Sequence, residues 1–222
     1  MRDMQQPLCI TAIVPGPVGM AGGPIAIDAL LMATQARIDN LPPIDVGGFA
    51  RIEIPIAVEP GGRFHLASFS VGSFEAYDRH WINRRFPIEQ AQTIGTHRLK
   101  RIRITAGAQK SYRIPMEVGY LVDSRLDWYA IGDADRIQAL LSHVSFVGKR
   151  RSTGKGEVER WIVEPCDAWG DGFPLVRNGR ALRPLPPDWR GLDAPELAYR
   201  NVGCVEGPYW DKAREELCAV PC

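Results

Sequence analysis

A chain of 222 residues, 45% hydrophobic and 24% charged, is long enough to bury one substantial core with appendages. Its net charge of +1 excludes a uniformly basic nucleic-acid binder, and no apolar run approaches the roughly 20 residues that a membrane helix needs. The polar start, Met1 to Pro7, lacks the basic and apolar regions of a signal peptide, so the cytoplasm is the expected location and no membrane the expected partner.

In chain order, Leu8 to Val14 is β-branched and apolar and stops at Pro15-Gly16-Pro17, which predicts a strand. Pro24 opens a helical run with Ile27, Leu30, Leu31 and Ile38 and alanines at 26, 29 and 33, closed by Pro42-Pro43. Arg51 to Val58 and Arg63 to Ser70 predict a hairpin across Pro60-Gly61-Gly62. Glu75 to Phe86 is helix-capable and carries Tyr77, Trp81 and Phe86 among arginines. Leu99 to Thr105 and Lys110 to Met116 predict a basic hairpin, and Glu117 to Val122 and Leu126 to Ile131 two further strands.

The clearest helix follows. Asp133 is its N-cap, Asp135 sits in its first turn, and Ile137, Leu140, Leu141 and Val144 recur at i, i+3, i+4 and i+7. Val158, Trp161, Ile162 and Val163 form a last strand. Beyond Pro165 the prolines at 174, 184, 186, 187, 195, 208 and 221 predict a mostly extended tail, with a short helix over Trp210 to Leu217. Trp169, Trp189 and Trp210 in that tail are expected to cover the core or a neighbouring subunit.

The order strand, helix, strands, basic insertion, strand, helix, strand describes an α+β fold, a ferredoxin-like (RRM-type) sandwich with helices on one sheet face. Residues 1–165 would form this domain, with the insertion at about 71–113, and 166–222 a proline-rich extension packing on the core or a partner.

Two cationic stretches stand out. Between Arg79 and Arg113 nine cations (Arg79, Arg84, Arg85, Arg98, Lys100, Arg101, Arg103, Lys110 and Arg113) face one acid, Glu89. The excess of eight leaves the rest of the chain at −7, so a basic surface is carried by an acidic body, and a local field of this kind steers a polyanion. The second stretch runs Val147-Gly148-Lys149-Arg150-Arg151-Ser152-Thr153-Gly154-Lys155-Gly156-Glu157-Val158. Glycines permit tight turns and close approach, and cations beside them meet phosphates. It is not a P-loop: five residues separate Gly148 from Gly154, Lys155 is followed by Gly156, and a strand rather than a helix comes next. A Rossmann fingerprint fails for the same reasons. The plain alternative is a solvated hairpin with ordinary surface lysines.

No paired CxxC spacing joins Cys9, Cys166, Cys204, Cys218 and Cys222, so reduced thiols are expected over disulfides. Three of them gather near the C-terminus, yet the nearest histidine is His143, so neither metal nor cofactor is expected. A metal-independent ribonuclease would need a histidine as general acid or base. His65, His80, His97 and His143 are available, but no local spacing pairs them.

The unit Ser142 to Glu164 resembles the glycine-loop region of the RAMP superfamily of CRISPR proteins, and His143 to Val158 is similar to the Cas-five-like subunit of type IV CRISPR effector complexes. Pro24 to Met32 resembles that subunit's first helix, with an Ile-x-Ile-Asp-x-Leu-Leu core. Lys110-Ser111-Tyr112 with Pro115-Met116, ahead of Trp128-Tyr129-x-x-Gly132-Asp133, and the tail Arg183-Pro184-Leu185-Pro186 resemble further stretches of it. The resemblance implies a RAMP-type ferredoxin-like fold with a thumb-like insertion, and a non-catalytic, RNA-binding role. The subunit would grip the 5′ handle of a guide RNA and cap a filament of Cas-seven-like backbone subunits. It would also abut a Cas-eight-like large subunit and meet target DNA through the assembled complex. Lys149, Arg150, Arg151 and Lys155 would neutralise phosphates, Ser152 and Thr153 would lie beside them, and Gly148, Gly154 and Gly156 would let the backbone come close. Trp81, Phe86 and Tyr112 are candidates for base stacking. The alternatives from other classes are the ribonuclease and a scaffold that touches only protein.

Overall fold

In the computed structural model the described residues are 5–19, 23–41, 52–84, 112–149, 151–192, 200–207, 209 and 211–221. The chain is mixed α and β, mostly sheet, with two α-helices among the described residues. The central strand is β1 (Gln6–Ile13), flanked by two antiparallel neighbours that come later in the chain. Its apolar run suits a place covered on both faces: Leu8, Ile10 and Ala12 are fully buried on one, and Cys9, Thr11 and Ile13 point to the other.

Two short elements follow, β2 (Val18–Gly19) and α1 (Ile27–Ile38). Ile27 and Leu31 of α1 drop into the core. The predicted hairpin over 51–70 is present in reduced form. Val58 bridges His65 around a turn in which Glu59 accepts from the Gly61 and Arg63 amides, but neither arm is a regular strand. Residues 56, 67 and 71 instead bridge Gly132, Ala130 and Asp127.

The segment expected as a helix over 75–86 is β3 (Phe74–Arg84), and it pairs along its length with β4 (Tyr112–Leu121). The two strands predicted separately over 110–122 are thus one, and its partner is β3; the Leu99–Thr105 arm falls outside the described residues. The strand wins over local helical propensity because cross-strand partners run from Phe74 opposite Leu121 to Arg84 opposite Tyr112, broken only by an irregularity near Phe74. β2 joins the other edge of β4.

A 3-10 turn at Val122–Ser124 then feeds β5 (Arg125–Gly132), which pairs with β1. The helix α2 (Ala134–Leu141) follows, capped by Asp133 accepting from the Arg136 amide at 3.1 Å. The strand β6 (Arg160–Pro165) returns to the far edge of β1, giving the order β5-β1-β6. Two tryptophans fasten these strands. Buried Trp128 donates to the Ile25 carbonyl at 2.7 Å, and Trp161, its ring 5.5 Å away, donates to the Val144 carbonyl at 2.8 Å.

The extension beyond Pro165 is ordered into two hairpins. β7 (Val176–Arg177) and β8 (Arg180–Ala181) turn through Asn178-Gly179, both at positive φ (52° and 73°), the pairing that a type I′ turn requires. β9 (Arg200–Cys204) pairs with β10 (Glu215–Ala219). The helix expected over 210–217 is reduced to a 3-10 turn at Lys212–Arg214, after which the chain is strand. A second apolar cluster of Phe64, Leu175, Leu185, Val205 and Cys218, with Trp189 against it, buries this extension on the 52–71 segment.

Candidate nucleic-acid interface

The glycine loop is a hairpin held by its own ladder. Phe146 bridges Glu157, Val147 donates to the Gly156 carbonyl at 2.8 Å, and Val158 to the Ser145 carbonyl at 2.9 Å. Its base is also fixed to the β2 region, because Gly156 donates to the Pro17 carbonyl at 2.9 Å and Lys149 to the Gly19 carbonyl at 3.5 Å. Gly148, Gly154 and Gly156 all have positive φ, at 77°, 73° and 70°. A Cβ on Gly156 would stand 2.0 Å from the Val147 carbonyl oxygen, and one on Gly148 would stand 3.0 Å from Val18 Cγ1. These two glycines therefore serve close packing within the chain.

This changes one expectation. The amides of Gly154 and Gly156 do not face outward: Gly154 donates to the Arg151 carbonyl at 3.0 Å, closing the 3-10 turn at Arg151–Thr153, and Gly156 to Pro17. What the loop does present is side chains. Lys149, Arg151, Ser152 and Thr153 are exposed and Lys155 is half-buried. Among the described residues no carboxylate lies within ion-pair distance of Lys149, Arg151 or Lys155. Arg150 lies outside the described residues.

The β3–β4 ribbon is the second candidate surface. At ~3.3 Å per residue, β3 reaches about 35 Å, and alternation places Tyr77, Arg79, Trp81 and Asn83 on one side. Across from them stand Glu117, Pro115 and Arg113. Tyr77 is 67% and Trp81 47% exposed, so both rings meet solvent. The Arg113 guanidinium lies 4.4 Å from the Trp81 ring centre, covering one face, and the Tyr77 ring is 5.6 Å from Phe74. Arg79 reaches Glu117 at 3.9 Å with both side chains well exposed, a contact of small energy. Arg84 and Tyr112 end the ribbon opposite one another. Arg85, Arg98, Lys100, Arg101, Arg103 and Lys110, with Phe86 and His97, lie outside the described residues. Arg113 was not expected to cover Trp81, nor Tyr77 to share that ring's side of a strand. Their signal was the period-two spacing of Tyr77, Arg79 and Trp81, which a helical reading conceals.

The described histidines are dispersed. His65 is buried with its Nδ1 4.0 Å from Asp28 Oδ2, His80 Nε2 lies 3.2 Å from Asp78 Oδ2 on β3, and His143 follows α2, its carbonyl accepting from Arg37 at 2.7 Å. Burial pushes the thiols of Cys9, Cys166 and Cys204 up and that of Cys218 to about 11. Among the described residues no three His, Cys, Asp or Glu side chains gather as a metal site would need, and no helix is long and apolar enough to cross a membrane.

One buried network escaped the sequence entirely. Arg183, with no exposed surface, donates to Asp28 Oδ2 (3.3 Å), to the carbonyls of His65 (2.7 Å), Ala67 (3.1 Å) and Val205 (2.8 Å), and to the Tyr209 hydroxyl (2.6 Å). The Phe64 ring lies 4.8 Å from its guanidinium, and Tyr209 also donates to Asp28. Burial, with the Asp28 charge second, holds the Tyr209 hydroxyl well above the usual phenol range. This cluster ties the extension to α1 and thereby sets one flank of the glycine loop's surroundings.

No curated protein matches the chain. A family model does, that of the CRISPR type IV associated protein Csf3, and it spans residues 76–221, taking in the ribbon, the glycine loop and the extension. The chain therefore belongs to the Csf3 family and is a Cas-five-like subunit of a type IV CRISPR complex.

Proposed function

We propose that this subunit is a non-catalytic RNA-binding protein that grips the 5′ handle of the guide RNA. The observation that carries the reading is the set of cations on the anchored glycine loop, Lys149, Arg151 and Lys155, which no carboxylate neutralises among the described residues. Unpaired cations on a rigid support favour phosphates at little ordering cost. The ribbon adds Trp81 and Tyr77, exposed rings of the kind on which unpaired bases stack. Arg84 and Tyr112 pair at the ribbon's end, and the other expected cations, Arg85, Arg98, Lys100, Arg101, Arg103 and Lys110, lie outside the described residues.

The finer fold reading supports this role. A ferredoxin-like RAMP domain would account for the order β5-β1-β6 with residues 56, 67 and 71 bridged to β5, and the β3–β4 ribbon would then be its thumb-like insertion. In the assembled complex the subunit would cap a filament of Cas-seven-like subunits, abut a Cas-eight-like one and reach target DNA only through the assembly.

The test is salt-dependent retention of a short single-stranded RNA by the full chain. Each single-strand phosphate contact contributes about 0.7 to the slope of log affinity against log salt. Lys149→Ala with Arg151→Ala should flatten that slope by about 1.4 and weaken binding equally across sequences. Unchanged binding dismisses the loop. The ribonuclease reading keeps one observation, the His80–Asp78 pair on the ribbon. Cleavage of repeat RNA without metal, lost in His80→Ala, would put it first.

A further inference from the structure

Beside the glycine loop lies a cleft of ≈480 Å3, bounded by α1, the loop and the C-terminal extension. Ala29 and Ala33 of α1 leave it open, Phe146 of the loop and Tyr209 of the extension supply aromatic rings, and the exposed cations Lys149 and Arg151 belong to its boundary. We propose that this cleft receives one unpaired base of the RNA whose phosphates lie on the loop, an inference that rests on the RNA-binding reading above.

Three features select a base as the occupant. The volume falls within the roughly 300–1,000 Å3 of sites that hold small organic ligands. The boundary is apolar where a ring would lie and cationic where the attached phosphate would emerge, a charge pattern suited to a nucleotide. Alanines at 29 and 33 sit on one side of α1 while Ile27 and Leu31 are spent on the core, so the helix gives the cleft small side chains with Leu30 as its one bulky apolar wall.

The same boundary sets the specificity. Its uncharged polar side chains are already engaged within the chain: Tyr209 donates to Asp28, and the Cys204 thiol to the Asp211 carbonyl at 3.4 Å. Among the described lining residues no uncharged side chain is left to read a base edge, so stacking rather than side-chain readout would hold the base. Tyr209 holds its place because Arg183 and Asp28 fix its hydroxyl, which makes Arg183 a positioning residue for the pocket.

The experiment uses the full chain carrying Tyr77→Ala and Trp81→Ala, so that the ribbon contributes no stacking. The probes are an 8-nucleotide single-stranded RNA and its fully abasic ribose-phosphate counterpart. The intact RNA should bind about 5- to 150-fold more tightly than the abasic one, the range of one base–aromatic stack. Filling the cleft with Ala33→Phe should remove that advantage and leave the salt slope unchanged, whereas Ala33→Ser should keep both. Equal affinity for the two RNAs in the parent overturns the pocket and leaves the loop reading standing. Ala33→Phe that binds intact RNA normally but loses partner subunits from the complex also overturns it, by placing a protein side chain there. Loss of all salt-dependent binding in the parent would instead fell the RNA reading itself.

Discussion

The glycine loop and the β3–β4 ribbon present cations in opposite ways. The loop is short and fixed at its base by Gly156 and Lys149 donating to Pro17 and Gly19, with no room for a Cβ at Gly156. The ribbon is long and, past its junction with β2, pairs only with itself in the described residues, leaving Tyr77 and Trp81 to solvent. A support tied at its base to the β2 region suits a fixed row of phosphates. A long arm with aromatic steps suits a strand whose bases are splayed. In the proposed RNA-binding role the loop would act as a clamp and the ribbon as a reaching arm, and their failure modes should differ.

The largest expected effect tests the anchoring. Gly156→Ala places a methyl 2.0 Å from the Val147 carbonyl oxygen at a φ of +70°, and should lower stability by about 3 kcal/mol, read as a melting temperature about 6–12 °C lower. Gly154→Ala, at a similar φ but with nothing within 4 Å, should lower it by only about 1 kcal/mol. Equal losses at the two positions would break the distinction between base and tip.

Next in size, the loop pair Lys149→Ala and Arg151→Ala should weaken RNA binding about 25-fold near 0.1 M salt and converge on the parent near 1 M. Trp81→Ala should lower RNA affinity by about 1–2 kcal/mol, less than a ring open on both sides, because Arg113 already covers one face. Its salt slope should match the parent's, and its unfolding free energy should shift by no more than about 0.5 kcal/mol. A slope change from the tryptophan, or none from the loop cations, would merge two surfaces into one. Smallest of all, Glu117→Gln frees Arg79 from a contact of 3.9 Å and should leave thermal stability within about 0.5 kcal/mol while slightly tightening RNA binding.

Much of this was legible because it was local. The β-branched, apolar run of β1 with its Pro15-Gly16-Pro17 stop, the Asp133 cap with Ile137, Leu140 and Leu141, and the apolar positions of α1 each announce an element within a dozen residues. The ribbon was not, because Glu75 to Phe86 tolerates a helix and only the cross-strand partners from 112 to 121 make it a strand. In the extension, Asn178-Gly179 carried a hairpin signal that proline content obscured. The cationic loop was readable as a motif, but the purpose of its glycines was not. For Gly148 that depends on Val18 and Gly19, well over a hundred positions earlier, and for Gly156 on the Val147 carbonyl that the hairpin folds against it.

Arg183 carries a consequence for the timing of biosynthesis. Its partner Asp28 emerges from the ribosome long before it, and Tyr209 later still, so the nascent first helix bears a carboxylate whose buried counter-ion has yet to be translated. Burying that carboxylate without its guanidinium partner would carry a penalty of about 3–5 kcal/mol, a cost that disfavours early closure of the amino-terminal portion. A chain cut short before Arg183 should therefore be digested faster by protease than the full chain.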